Sequence, residues 1–175
     1  MELLDAMLRR RSVRKYSQED IPDEKLNRIL QAGLLAPTSR NRRPCEFYVV
    51  KDRELLQKLS EAKAAGAAML ADCNAAIAVF GDSDKADTWI EDSSIALTCM
   101  HLAAVSEGVG SCWCQMHLRA SDSGKSAEEN VKEILSVPDS YRIVGILSLG
   151  LPAENVRPHT LDELDWAKVH RIGTD

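Results

Sequence analysis

Residues 89–107 read Trp89-Ile-Glu-Asp-Ser-Ser-Ile-Ala-Leu-Thr-Cys-Met-His-Leu-Ala-Ala-Val-Ser-Glu107, and Gly108-Val-Gly-Ser-Cys-Trp-Cys-Gln-Met116 follows directly. The first stretch is the longest helical pattern in the chain. Ile90, Ile95, Leu97, Met100, Leu102, Ala103 and Val105 distribute apolar side chains nearly all round it. That predicts a central, buried helix rather than a surface one. Gly108-Val-Gly110 ends it, and Ser111 to Met116 then reads as a strand.

Outward from this unit, short strands and helices alternate imperfectly. Downstream, Ser126-Ala-Glu-Glu129 is a capping box that opens a helix through Leu135. Tyr141 to Leu149 reads as a strand, and Gly150 to Asp175 as a mostly polar tail. Upstream, Ala75-Ala-Ile-Ala-Val-Phe80 is an apolar strand buried on both faces. Residues 53–65 read as a helix with Leu55, Leu56 and Leu59 inward, and Phe47 to Val50 has strand composition. Pro22-Asp-Glu24 opens another helix, striped by Leu26, Ile29, Leu30, Gly33 and Leu34 and stopped by Pro37. Glu2 to Leu8 is a short amphipathic helix. Few strands among many helices predict an α+β fold, a small sheet covered by helices, in α+β or three-layered form.

The chain has 175 residues, 45% hydrophobic and 28% charged, which is globular and long enough for one domain over 1–175 with its own core. Its net charge of −5 makes it a poor general binder of nucleic acid or anionic membrane. No apolar run approaches the ~20 residues that cross a bilayer. The N-terminal residues do not read as a secretory signal, and the five cysteines are odd in number, so reduced thiols in a cytoplasmic setting are expected. No CxxC or HExxH occurs, so no metal site is expected.

The strongest chemical signal is Arg9-Arg10-Arg11-Ser12-Val13-Arg14-Lys15, where an acidic chain concentrates five cations. Like charges at this density repel unless an anion neutralises them. Forked guanidinium donors and the Ser12 hydroxyl suit phosphate oxygens, and the alternative is a solvated basic face. The Pro-bounded loop Pro37-Thr-Ser-Arg-Asn-Arg-Arg-Pro44 presents Asn41 either to a heterocycle edge or to an Asx-turn. Gly108 and Gly110 either admit a ligand close to the backbone or simply cap a helix. Cys112 and Cys114 share one strand face with no base beside them, which suits core or pocket lining rather than a nucleophile. His101 reads as a packed core histidine, and His117, His159 and His170 carry no motif.

Three segments together, 10–16 (Arg-Arg-Ser-Val-Arg-Lys-Tyr), 36–44 (Ala-Pro-Thr-Ser-Arg-Asn-Arg-Arg-Pro) and 108–113 (Gly-Val-Gly-Ser-Cys-Trp), resemble the FMN-dependent nitroreductase family in order and spacing. The resemblance implies that family's sandwich, a small, mostly antiparallel sheet with helices on both sides. It implies a homodimer with FMN at the subunit interface. Positions Arg10, Arg11, Ser12 and Arg14 would hold the phosphate and ribityl chain, and Arg157 in the tail would reach the phosphate. Asn41 would contact the flavin from the partner subunit. Cys112, Trp113, Cys114 and Gln115 would line its ring. Many relatives have Gln or Glu where this chain has Arg43, which would place a cation near the flavin. The implied activity is ping-pong electron transfer from NADH or NADPH to an electron-poor acceptor, a nitroaromatic or quinone. No side chain stands out as the catalytic acid or base. The rival expectations are a flavin-binding electron carrier with little turnover and a nucleic-acid module, the latter opposed by the charge and the 5% aromatic content.

Overall fold

The computed structural model describes residues 1–173, so the end of the polar tail expected over 150–175 lies outside the described residues. Four strands form one sheet in the order β1-β2-β4-β3. They are β1 (Cys45–Val50), β2 (Ala75–Asp82), β3 (Gly110–Gln115) and β4 (Tyr141–Gly150), and every pairing is antiparallel. The helices are α1 (Leu3–Arg9), α2 (Asp23–Leu34), α3 (Arg53–Ser60), α4 (Met69–Asp72), α5 (Trp89–Ser106) and α6 (Ala127–Leu135). The fold is the expected α+β sandwich.

Strand alternation builds two cores. Ala76, Ala78 and Phe80 of β2 pack with α3, α4 and α6, through Leu56, Leu59, Leu70 and Val131. Ala75, Ile77 and Val79 face α2 and α5, through Leu26, Ile29, Leu97 and Met100. The central strands β2 and β4 are buried on both faces, which is why β2 reads as an unbroken apolar run. On β4 the alternation slips by one residue. A bulge between Val79 and Phe80 turns Ile143 and Ile146 to one core and Val144 and Leu147 to the other.

The local start signals hold. Ser126 and Glu129 form the reciprocal capping box of α6, and the Asp52 side chain caps α3 by accepting from Leu55 N at 2.9 Å. The helix expected through residue 65 ends at Ser60 instead. Beyond it the backbone is claimed by distant partners: Ala64 N donates to Ala120 O and Asn130 Nδ2 to Ala62 O. Those tertiary bonds replace the i→i−4 ladder. Strand β1 begins two residues earlier than its composition suggested, and α4 is a short helix that the sequence pattern did not mark.

Helix α5 departs most from expectation. One side lies on the sheet, with Ala96, Leu97, Met100 and Ala104 buried. The opposite side leaves Ile95 38% exposed, Ile90 near the start of the helix is exposed to the same degree, and α1 beside it exposes Leu3, Leu4 and Met7. In a single chain this helix is therefore half covered rather than central.

The cationic segment after α1 is laid along the sheet. Val13 N donates to Ser111 O at 3.0 Å at the head of edge strand β3, and Ala153 N donates to Lys15 O. Tyr16 anchors it: the buried hydroxyl donates to Val13 O and pairs with Ser148 Oγ, both at 2.7 Å. Gly150 makes room for that ring, since a Cβ there would lie 2.5 Å from it. Tyr16→Phe is expected to cost about 1–3 kcal/mol by stranding buried partners, seen as a lowered Tm. An unchanged Tm would mean the segment is not held by this hydroxyl.

Candidate functional site

The first cluster gathers at the head of β3. Arg10 follows directly on α1, and its Nη1 lies 3.2 Å from Nε2 of His101, a buried residue of α5. His101 Nδ1 lies 2.6 Å from Ser111 Oγ. A guanidinium only donates, so Nε2 accepts, and the ring proton sits on Nδ1 and is donated to Ser111. Burial and then the Arg10 charge push the His101 pKa down to about 4. The imidazole is neutral at ordinary pH.

That depression makes stability pH-dependent. Between the usual value of 6.5 and about 4, the unfolded chain binds the proton that the folded chain refuses. Stability is therefore complete above pH 6.5 and falls as the pH drops toward 4, by up to about 3 kcal/mol. His101→Gln should lose less stability than wild type between those limits in urea titrations. Equal losses would show that the imidazole is not held neutral.

The neighbouring cations are tethered but unpaired. Arg11 Nη1 donates to the Arg157 carbonyl, which ties the tail to the segment. Arg14 is exposed and its Nη1 reaches only the Ser12 carbonyl, at 3.3 Å. The backbone N–H groups of Arg14 and Lys15 both donate to one carboxylate oxygen of Glu154, at 2.7 and 3.2 Å. Those bonds hold the Glu154 carboxyl below its usual range. None of Arg10, Arg11 and Arg14 has an ion-pair partner among the described residues. Arg157 lies in the same region, with its exposed guanidinium 3.5 Å from Glu163.

Strand β3 divides its residues. The Cys112 and Cys114 side chains are buried in the core against α3, α4 and α6, and burial pushes both thiols up. They are inert lining, as expected, and only their backbone can meet a ligand. Trp113 packs on the α2–α5 side, and its Nε1 donates to Gln115 Oε1 at 3.0 Å. Ser111 O points to the open edge, toward Val13, so alternation sends the N–H and C=O of Trp113 and Gln115 to that same edge. Lys63 stands there, with Nζ on Gln115 O at 3.0 Å.

The second cluster is elsewhere. The loop holding Asn41 and Arg43 sits by the N-terminal end of α5, where Asp92 accepts from Ser39 N at 2.9 Å and from Thr88 Oγ1 at 3.2 Å. Asp92 and His101 are nine residues apart on one helix, about 13 Å along its axis. One chain therefore does not bring Asn41 and Arg43 to Arg10. Arg40, Asn41 and Arg43 all adopt positive φ, of 50°, 55° and 48°. Three non-glycine residues in that region make this a specified loop rather than a passive link. The Asx-turn alternative fails in detail: Asn41 Oδ1 accepts from Arg43 Nε at 2.9 Å rather than from backbone. Arg43 is exposed on the rim of a cavity of about 220 Å³ floored by Gly33, Ala36, Phe47 and Ala96.

Sequence reasoning passed over Lys63 and Asp92, and it placed His101 in the core, where it is buried, without its link to Arg10. The only local signal was a histidine or a carboxylate inside an apolar helix. The partners that matter, Arg10 and Ser111 for His101 and Ser39 for Asp92, are ten or more residues away and visible only in three dimensions. Among the described residues no group of His, Cys, Asp and Glu could hold a metal ion, and no helix is long and apolar enough to cross a membrane.

An antiparallel sheet between two helical layers, with a cluster of guanidinium groups at the head of its edge strand that lack ion-pair partners among the described residues, defines the class as α+β. The chain belongs to the nitroreductase family, whose family model matches residues 7–68 and 63–151. A relative from Archaeoglobus fulgidus, provisionally described as an NADH dehydrogenase/NAD(P)H nitroreductase, is 35% identical over 175 residues, covering 97% of each chain. An FMN-dependent nitroreductase from Clostridium difficile R20291 superposes with a TM-score of 0.94 at 38% identity, covering 98% of this chain and 99% of that one. A protein from Desulfovibrio desulfuricans, provisionally described as a nitroreductase and solved in complex with FMN, shares the fold with a TM-score of 0.73 at 24% identity, covering 93% and 94%.

Proposed function

We propose that this chain is an FMN-dependent oxidoreductase. It takes electrons from NADH or NADPH and passes them, in ping-pong order, to an electron-poor small molecule such as a nitroaromatic or a quinone. It works as a cytoplasmic homodimer. The observation that carries the reading is that Arg10, Arg11 and Arg14, at the head of β3, have no ion-pair partner among the described residues in a chain with a surplus of carboxylates. Such a cluster fits a phosphate ester. The FMN-dependent relative and the NAD(P)H nitroreductase names support the cofactor and the donor. The five cysteines are all free, which suits a reducing compartment.

FMN, when bound, supplies hydride and electron transfer. The chain's residues do the rest. Arg10, Arg11, Arg14 and Ser12 would hold the phosphate, with Arg157 adding charge from the tail. The open backbone edge of Trp113 and Gln115 would pair with polar atoms of the flavin ring, and Cys112 and Cys114 would contribute backbone beside it. Asn41 and Arg43 lie by the N-terminal end of α5, far from Arg10, and the partner subunit's Asn41 and the partner subunit's Arg43 would complete the group. The exposed apolar sides of α1 and α5 support that assembly. Neither thiol on β3 nor the His101 imidazole is set to deliver a proton, because the thiols are pushed up and Nδ1–H is held by Ser111.

The test is direct. The purified protein should bind FMN with a flavin absorption spectrum and oxidise NADH or NADPH when a nitroarene or quinone is supplied. Initial rates should give parallel double-reciprocal lines. FMN binding without turnover would favour an electron carrier, and failure to take up FMN at all would overturn the assignment.

A further inference from the structure

Arginine 10 differs from the other cations of its segment in having a buried partner. His101 is 6% exposed and bonded on both ring nitrogens. Its Nδ1 side is fixed by Ser111, whose own backbone carbonyl is fixed by Val13 N at 3.0 Å. Ser12 forms a parallel bridge to the same Ser111. Three elements thus meet at one ring: the end of α1, the body of α5 and the head of β3. Arg14 has no comparable support and reaches only the Ser12 carbonyl.

We propose that His101 is the positioning residue that aims the Arg10 guanidinium at the phosphate of the bound nucleotide. This rests on the FMN reading above. The imidazole does not touch the ligand. It offers Nε2 as an acceptor to one N–H of Arg10, leaving the other guanidinium donors free for phosphate oxygens. An acceptor that is uncharged adds direction without cancelling the positive charge, which a carboxylate in the same place would do. Ser111 holds the tautomer that makes this possible, in the way a second hydrogen bond fixes a functional histidine elsewhere. Placing the guanidinium in advance reduces the side-chain entropy lost when the phosphate binds.

Binding of FMN and of riboflavin, which lacks the phosphate, is compared in wild type, His101→Leu and His101→Gln. His101→Leu removes the acceptor and should weaken FMN about tenfold, the scale of one charge-assisted hydrogen bond, while riboflavin binding stays within about twofold. His101→Gln carries an amide oxygen near the Nε2 position and should restore most of the FMN affinity. A purely structural role predicts equal losses for FMN and riboflavin and no rescue, and that result overturns the proposal. Should His101→Leu fail to fold, the Gln variant and the wild-type protein still decide. Nitrogen-15 spectra of the flavin-free protein should show a neutral ring protonated on Nδ1. A ring protonated on Nε2 cannot accept from Arg10 and overturns the proposal without reference to FMN. A wild-type protein that binds neither flavin but shows the Nδ1 tautomer would fail the FMN reading and leave the Arg10–His101 contact intact, to be tested by the same variants with inorganic phosphate.

Discussion

Ile95→Asp is expected to convert the protein to a monomer of 19.3 kDa and to abolish FMN retention together. Ile95, Cys99 and Leu102 lie one helical turn apart on the outer side of α5. Leu3 of α1 and Leu35, just past α2, border the same surface depression as Cys99 and Leu102. A monomer seldom leaves so many large apolar side chains on one face. Covering that face in a homodimer would also bring the two separated clusters together, since each end of α5 carries half of the proposed site. A carboxylate buried there without a partner costs several kcal/mol, counted at both copies in a symmetric dimer. Light scattering gives the mass and the flavin absorbance of the same fraction gives the occupancy. A monomer that retained stoichiometric FMN would separate the two events and show that one chain holds the whole site.

The reading of the sequence succeeded where the deciding physics is local. The capping box at Ser126 and Glu129 formed as expected because both partners lie within one turn. Strand β2 was legible because burial on both faces leaves a continuous apolar run. Helix α5 was legible as a helix but not in its environment. Its pattern is apolar nearly all round, and it does not tell which side rests on the sheet and which stays exposed in a single chain. The end of α3 was missed for the opposite reason. The sequence after Ser60 is alanine-rich and favours helix, and its backbone bonds instead go to Ala120 and Asn130.

The site shows the same division. The cationic segment was conspicuous because five cations in an acidic chain need a reason. Nothing in sequence showed which of them is supported. His101 looked like an ordinary core residue because its partners are 91 and 10 positions away. The cysteines of β3 could be placed on one face from period-two alternation, but which core that face meets depends on strand order. That order, β1-β2-β4-β3, comes from long-range pairing.

Removing both Arg10 and Arg14 should weaken FMN at least about a hundredfold, with riboflavin affinity nearly unchanged, since charge-assisted bonds to phosphate are worth roughly 1.5–3 kcal/mol each. The single variants should differ. Arg10 is half-buried and braced by His101, so Arg10→Ala removes a group that was already placed. Arg14 is exposed and weakly held, so part of its contribution is spent ordering the side chain. Arg10→Ala should therefore be the more damaging of the two. Salt separates them further. An exposed charge is screened within about 8 Å at physiological ionic strength. The penalty of Arg14→Ala should shrink as salt is raised, and that of Arg10→Ala should persist. Fluorescence titrations with FMN and riboflavin at low and high salt supply all of these comparisons. Equal losses for the two ligands in the double variant would mean that the arginines shape the segment rather than bind phosphate, and the anion reading of this cluster would fall with that result.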